Sequence, residues 1–206
     1  MLLSVDNLSV SRGGKSLFEG LNFTVSSGQF VSINGGNGVG KTTLLRSIAG
    51  LQPLDKGKIV VDSDNFIFAG DANGVKTALT VLENLRFWSA IFGGKNLHEA
   101  LEKFHLRKLK NRFAGKLSAG QKRRLSLARL LLTDRPIWLL DGPTVSLDKT
   151  SKEAFSEILK NHLEAGGAAV VATHIDLGLT LGSLNINLED YQTKSGNINS
   201  SAKAFL

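Results

Sequence analysis

Apolar and polar positions fall into short blocks whose period changes along the chain. Alternation over Leu2–Val10 and Leu21–Val25 predicts half-buried strands. The run Phe30–Ile33 predicts a buried strand that enters a glycine-rich stretch, and Thr42–Ala49 predicts a helix ended near Gly50. Lys58–Val61 and Phe66–Ala69 predict short strands. From Thr80 to about Asn111 the period becomes helical, through Val81, Leu82, Leu85 and Trp88, then Leu97, Leu101 and Phe104. Ser118–Leu132 predicts a second strong helix with Ser118 as its N-cap. Pro136–Leu140 and Ala168–Thr173 predict apolar strands on either side of an amphipathic helix, Lys149–Glu164. From about Asn187 to residue 206 the chain is polar and predicts a loosely held tail.

Fully apolar strands alternating with helices predict an α/β fold, a mostly parallel sheet covered on both faces. Residues 75–130 lack apolar strands and predict a helical subdomain, and no linker divides the chain, so 1–206 reads as a single domain. Composition narrows this little: 206 residues with 42% hydrophobic and 21% charged are globular rather than disordered. With no cysteine, disulfides and cysteine-ligated zinc are excluded. The segment Met1–Asp6 has neither a basic region nor a long apolar core, so no signal peptide is expected. No apolar run approaches the ~20 residues that span a bilayer, so work at a membrane requires a partner that crosses it. The net charge of +7 suits phosphates, nucleic acid or anionic lipid, and equally a plain lysine-rich surface.

Chemistry enters at Gly35-Gly36-Asn37-Gly38-Val39-Gly40-Lys41-Thr42, which fits G-x-x-x-x-G-K-[ST] between an apolar strand and a helix. Glycines let successive backbone N–H groups curl toward one anion, and the helix that opens near Lys41 adds its positive end. Lys41 is placed to reach the β- and γ-phosphates of a nucleotide, and Thr42 to ligate Mg²⁺ through its hydroxyl, with Thr43 beside it. A second site follows from Ile137-Trp138-Leu139-Leu140-Asp141: a strand buried to its end delivers a carboxylate at the sheet's C-terminal edge, where it can hold Mg²⁺ through water. Alone, a strand followed by Asp is also a common turn or helix cap.

The stretch Leu117-Ser118-Ala119-Gly120-Gln121, followed by Lys122-Arg123-Arg124 and Leu127-Ala128-Arg129, resembles the LSGGQ signature of the ABC ATPases, with Ala119 in place of one glycine. Pro143-Thr144 and Ser146-Leu147-Asp148 resemble that family's D-loop region, and Thr173-His174 its switch histidine. The resemblance covers nearly the whole chain. Within the family it is to the CcmA branch, which serves c-type cytochrome biogenesis and haem export. Leu117–Gln121, Gly74-Val75-Lys76-Thr77 and Leu79–Phe87 carry it. It implies a P-loop cassette with N-terminal antiparallel strands, and an ATPase with ATP and Mg²⁺ as cofactors. Two copies then sandwich ATP, with the Ser118, Gly120 and Gln121 region of one facing the phosphate loop of the other. His174 then contacts the γ-phosphate. The implied partner is a CcmB-like integral membrane permease, with this chain peripheral on the cytoplasmic face of the inner membrane. No nucleic-acid partner is expected, because soluble relatives in DNA repair or translation carry coiled-coil insertions or fused cassettes.

Three positions depart from the family pattern. Gly142 stands where the resemblance places a catalytic glutamate, and a positioned general base contributes about 10²–10⁴-fold, or about 3–5 kcal/mol of barrier. Two expectations follow, an energy-coupling ATPase of weak turnover, or an ATP-binding, hydrolysis-impaired scaffold in the same complex. Asp71 stands where a glutamine is expected, and is either a Mg²⁺ or water contact or part of the polar turn Gly70–Gly74. Arg12 stands where an aromatic stacks on adenine, and either stacks through its guanidinium plane or lies on the surface. Phe87, Trp88, Ile91 and Phe92 read either as core or as a dock for a membrane partner, and Lys103–Arg112 as a solvated basic face.

Overall fold

The structure is a computed structural model that describes residues 1–70, 74–93, 96–173 and 183–192. In chain order the strands are β1 (Leu3–Arg12), β2 (Lys15–Val25), β3 (Phe30–Asn34), β4 (Lys56–Val60), β5 (Phe66–Ala69), β6 (Ile137–Asp141), β7 (Ala168–Ala172) and β8 (Ser183–Asn187). The α-helices are α1 (Lys41–Ile48), α2 (Val81–Phe92), α3 (Leu97–Lys103), α4 (Ala119–Ala128) and α5 (Lys149–Glu164).

β2, β1 and β4 make a three-stranded antiparallel sheet. The other five make a sheet of order β5-β6-β7-β3-β8 in which every pairing is parallel. Burial on both faces explains why its central strands carry no polar alternation: β6 and β7 are buried at every position. Successive residues feed two cores. Ile137, Leu139, Val31, Ile33 and Val170 pack with Leu44, Leu45 and Ile48 of α1 and with the antiparallel sheet. Trp138, Leu140, Ala169 and Val171 pack with Phe155, Ile158 and Leu159 of α5 and with α2–α4.

Three expectations are corrected. The helical stretch after Thr80 is two helices, because α2 closes at Gly93 in a left-handed conformation. The helix expected over Ser118–Leu132 is α-helical to Ala128 and tightens to a 3₁₀ turn over Arg129–Leu132. The polar tail expected from Asn187 is in part structure: β8 lies beside β3, and Leu188 is fully buried in the 3₁₀ turn that follows. Apolar Leu184, Ile186 and Leu188 at every second position were the available signal. β2 also starts earlier than expected, with Gly20 at φ +68° interrupting its alternation.

Strand β5 ends the sheet, so alternate carbonyls point away from β6. Each meets an arginine. Arg135 donates to the Phe66 carbonyl at 2.7 Å, Arg129 to Phe68 at 2.9 Å and Arg123 to Gly70 at 2.7 Å. Two of the three also lie over aromatic faces of α2, Arg129 over Trp88 at 5.2 Å and Arg135 over Phe92 at 5.4 Å. Of the α2 aromatics and their neighbour, Trp88 and Phe92 pack on the core, while Phe87 and Ile91 are exposed.

Candidate nucleotide site

The C-terminal ends of β3, β6 and β7 open on a cavity of about 490 Å³. Asn37, Gly38, Gly40, Lys41, Thr42 and Thr43 form one wall, Asp141 and Gly142 the floor, and Thr144, Val145, Ser146, Ala119 and Arg123 a second wall. Arg12 and Leu17 line the end beside β1 and β2. Arg12 is exposed as well as at the cavity, a position compatible with both readings open for it.

Each element delivers its residue for a local reason. β3 is buried and stops at Asn34, after which the loop turns back into α1 at Gly40, whose φ is +115°. Lys41 folds over the first residues of its own loop and donates to the Gly35 and Gly36 carbonyls, both at 2.7 Å. Burial pulls its ammonium below the ordinary lysine value, against the opposing fields of Asp141 and Glu189. Asp141 ends β6 and is 7% exposed. Thr42 and Asp141 bring a hydroxyl and a carboxylate to the same cavity, and such oxygen donors fit Mg²⁺.

Gly142 follows directly, with φ +52°, and donates its N–H to the Ala172 carbonyl at 2.8 Å. That left-handed conformation suits glycine, and a Cβ there would stand 3.2 Å from the Val145 side chain. A glutamate at this position therefore requires the turn to shift as well as a side chain to be added.

The Ser118 region begins α4. The Ser118 hydroxyl accepts from the Gln121 N–H at 3.2 Å, and the Gln121 side chain accepts from the Ser118 N–H at 3.0 Å, a reciprocal capping box. Ser118 is exposed and Ala119 faces the cavity. Gly120 presses on the following loop: a Cβ would stand 2.7 Å from the Ser146 carbonyl. Of the remaining sequence candidates, Gly35 and Gly36 sit at the loop entrance and Val39 is buried beneath it. Thr173 lines the cavity at the end of β7, and His174 and Asp71 lie outside the described residues.

Two residues missed by sequence reasoning stand out. Glu189, in the turn after β8, accepts the Gly36 N–H at 2.7 Å. Arg123 donates to the carbonyls of Gly70, Asp141, Gly142 and Pro143. No local pattern marks Glu189; the doubled arginine after Gln121 was visible, but not its direction.

The ABC transporter family model matches residues 18–145. A Paracoccus denitrificans protein named cytochrome c biogenesis ATP-binding export protein CcmA is 58% identical over 86% of this chain and 85% of its own. A Ruegeria pomeroyi protein of the same name is 52% identical over 90% of this chain and 91% of its own. Among solved structures, the ATP-binding subunit of an ABC transporter superposes with a TM-score of 0.77 at 25% identity, covering 85% of this chain and 80% of that one. A dimeric ATP-binding cassette bound to ADP and Pi in a post-hydrolysis state superposes with a TM-score of 0.75 at 26% identity, covering 89% and 96%.

Proposed function

The chain belongs to the ABC transporter family of ATP-binding proteins, and from that premise we propose that it is the energy-coupling ATPase subunit of an exporter in c-type cytochrome biogenesis, engaged in haem export or handling. The observation that carries the ATPase reading is the single cavity that joins Lys41, Thr42 and Thr43 to Asp141 and to the start of α4. Identities of 58% and 52% to proteins named for cytochrome c biogenesis narrow the class.

In this reading the backbone N–H groups of the loop and the N-terminal end of α1 hold the ATP phosphates. Lys41 leaves the Gly35 and Gly36 carbonyls to bind the β- and γ-phosphates. Thr42 and Asp141 hold Mg²⁺, which neutralises charge that develops on the transferred phosphoryl group. Ser118 and Gly120, exposed or half-exposed at the start of α4, complete the nucleotide site of a second copy. His174 contacts the γ-phosphate. Arg12 stacks on the base. No helix among the described residues is long and apolar enough to cross a membrane. In the same reading the chain works from the cytoplasmic face on a CcmB-like permease, which docks over the exposed Phe87 and Ile91 of α2.

Gly142 makes turnover slow without removing ATP binding. The test is steady-state ATP hydrolysis by the complex reconstituted with its permease, comparing this chain with Lys41→Ala and Gly142→Glu. Hydrolysis is expected to be low, abolished by Lys41→Ala and raised by Gly142→Glu. The rise is expected to stay below the ~10²–10⁴-fold of an unstrained base, because Gly142 sits at φ +52°. Equal rates for this chain and Gly142→Glu would refute the slow-turnover reading, and hydrolysis untouched by Lys41→Ala would refute the site itself.

A further inference from the structure

Arg123 is 3% exposed and points from α4 into the C-terminal edge of the sheet. Its Nη2 donates to the Asp141 carbonyl at 2.7 Å and to Gly142 at 2.8 Å, its Nε to Pro143 at 3.2 Å and its Nη1 to Gly70 at 2.7 Å. One guanidinium thus gathers three consecutive carbonyls at the end of β6 and one at the end of β5. Five residues earlier, Ser118 caps the same helix. A planar fork of donors fixes distance and angle together, so α4 cannot move against the Asp141–Pro143 turn without breaking several charge-assisted bonds at once. The close approach of Gly120 to the Ser146 carbonyl ties the first turn of α4 to the same loop a second time.

We infer that Arg123 is a positioning residue that couples the two nucleotide sites of a dimer. The inference rests on the ATP-sandwich reading above. In a sandwich, the start of α4 faces the nucleotide held by the other copy, while Asp141 and Gly142 serve the nucleotide held by their own chain. Arg123 is the rigid link between those two surfaces. Engagement of Ser118 by one ATP is therefore transmitted, through four carbonyls, to the turn beneath the other. Gly142 sharpens the effect, because the glycine turn has no side chain to anchor it and is held by the guanidinium together with its own N–H on the Ala172 carbonyl.

The first experiment follows Mg²⁺-ATP binding and ATP-dependent dimerisation of the full chain, of Arg123→Gln and of Arg123→Lys. Both variants keep a donor but lose the fork. The unaltered chain is expected to bind ATP cooperatively. Both variants are expected to bind ATP with Hill coefficients near one, and to need about tenfold more ATP to dimerise, a loss typical of site-to-site coupling. A merely structural role would instead lower the melting temperature and weaken each site alike, leaving cooperativity in place; that outcome, or wild-type behaviour of the variants, overturns the inference. Failure of the unaltered chain to bind ATP or to dimerise would strike the ATP-sandwich reading and not Arg123 specifically.

A second experiment leaves Arg123 intact. Lys41→Ala chains, whose own loop is disabled, are paired with unaltered chains, and amide exchange is followed in the Lys41→Ala copy on addition of Mg²⁺-ATP. Slowed exchange over residues 118–124 that spreads to 141–145 is expected. Protection confined to 118–124 overturns the proposal.

Discussion

Glu189 lies 153 residues from Gly36 in sequence, and its carboxylate accepts the Gly36 N–H at 2.7 Å. Asn187, two residues earlier, holds the Glu189 N–H at 3.3 Å and so aims the turn that carries the carboxylate. The loop entrance is therefore gripped from outside by Glu189 and from inside by Lys41. In the proposed ATP-bound state, where Lys41 turns to the phosphates, the Glu189 contact is the grip that keeps the entrance in shape. Replacing Glu189 with alanine is expected to raise the Kd for ATP about three- to tenfold, the size of the net contribution of one typical hydrogen bond. Glu189→Gln, which keeps an acceptor, is expected to recover most of the loss. Titration with ATP at fixed Mg²⁺ reads both, and an unchanged Kd in Glu189→Ala would remove the loop-supporting role. At this scale the sequence was legible where chemistry is local. The spacing of Gly35, Gly40, Lys41 and Thr42 and the four apolar residues before Asp141 each state their geometry within a few positions. Glu189 was illegible because its partner is a backbone N–H far along the chain, which leaves no residue pattern.

Among elements, α4 and the turn after it carry the most. The helix exposes its first turn, buries Arg123 and ends in the 3₁₀ segment that begins with Arg129. Arg129 is 7% exposed and its pKa is lowered to about 10, first by burial and then by Arg123 nearby. It remains charged at neutral pH, bonded to the Phe68 carbonyl and lying on Trp88. Arg129→Ala is expected to destabilise the fold by about 3 kcal/mol, through the orphaned carbonyl and the space left under Trp88. Arg129→Met, which refills the space, is expected to cost less. Urea unfolding of the three proteins separates the two contributions, and a loss below about 0.5 kcal/mol in Arg129→Ala would mean that the contact is dispensable. The 3.6-residue period announced α2 and α4, because a helix repeats its burial. The period alone does not show the division, whose signal was Gly93, the left-handed cap of α2, nor the tightening after Ala128. β8 was overlooked for a different reason. Its five residues alternate apolar Leu184 and Ile186 with Ser183, Asn185 and Asn187, which reads as weakly amphipathic until β3 is beside it.

For the molecule as a whole, stability is shared between two cores on opposite faces of one sheet, and His162 sits where α5 returns toward β6 and β7. Its ring stacks on Trp138 at 3.8 Å, and Nε2 lies 3.1 Å from the Pro136 carbonyl and 3.3 Å from Ala168, so the neutral ring donates there. Burial lowers its pKa below 6.5, more than those two carbonyls raise it. The unfolded chain therefore takes up this proton at a higher pH than the folded chain does. Stability contributed by the neutral ring is full above about pH 6.5 and falls as pH drops below that value toward the lowered folded pKa. Urea unfolding of the chain and of His162→Gln, run between pH 7.5 and 5.5, is expected to show the unaltered chain losing its advantage on the acid side. Parallel pH profiles would rule out His162 as the source.

The row Arg123, Arg129 and Arg135 has a consequence for how copies of this chain meet. Cassettes that close on ATP and part again encounter one another at high local concentration throughout their working life. A sheet with a bare row of carbonyls along one border would turn some of those encounters into strand-to-strand zippering, an attachment that nucleotide turnover has no means to undo. With the Phe66, Phe68 and Gly70 carbonyls already taken by guanidinium groups, that border offers a visiting strand no acceptor to begin on. The arginines act as a selvedge, a finished edge along this one border of the sheet.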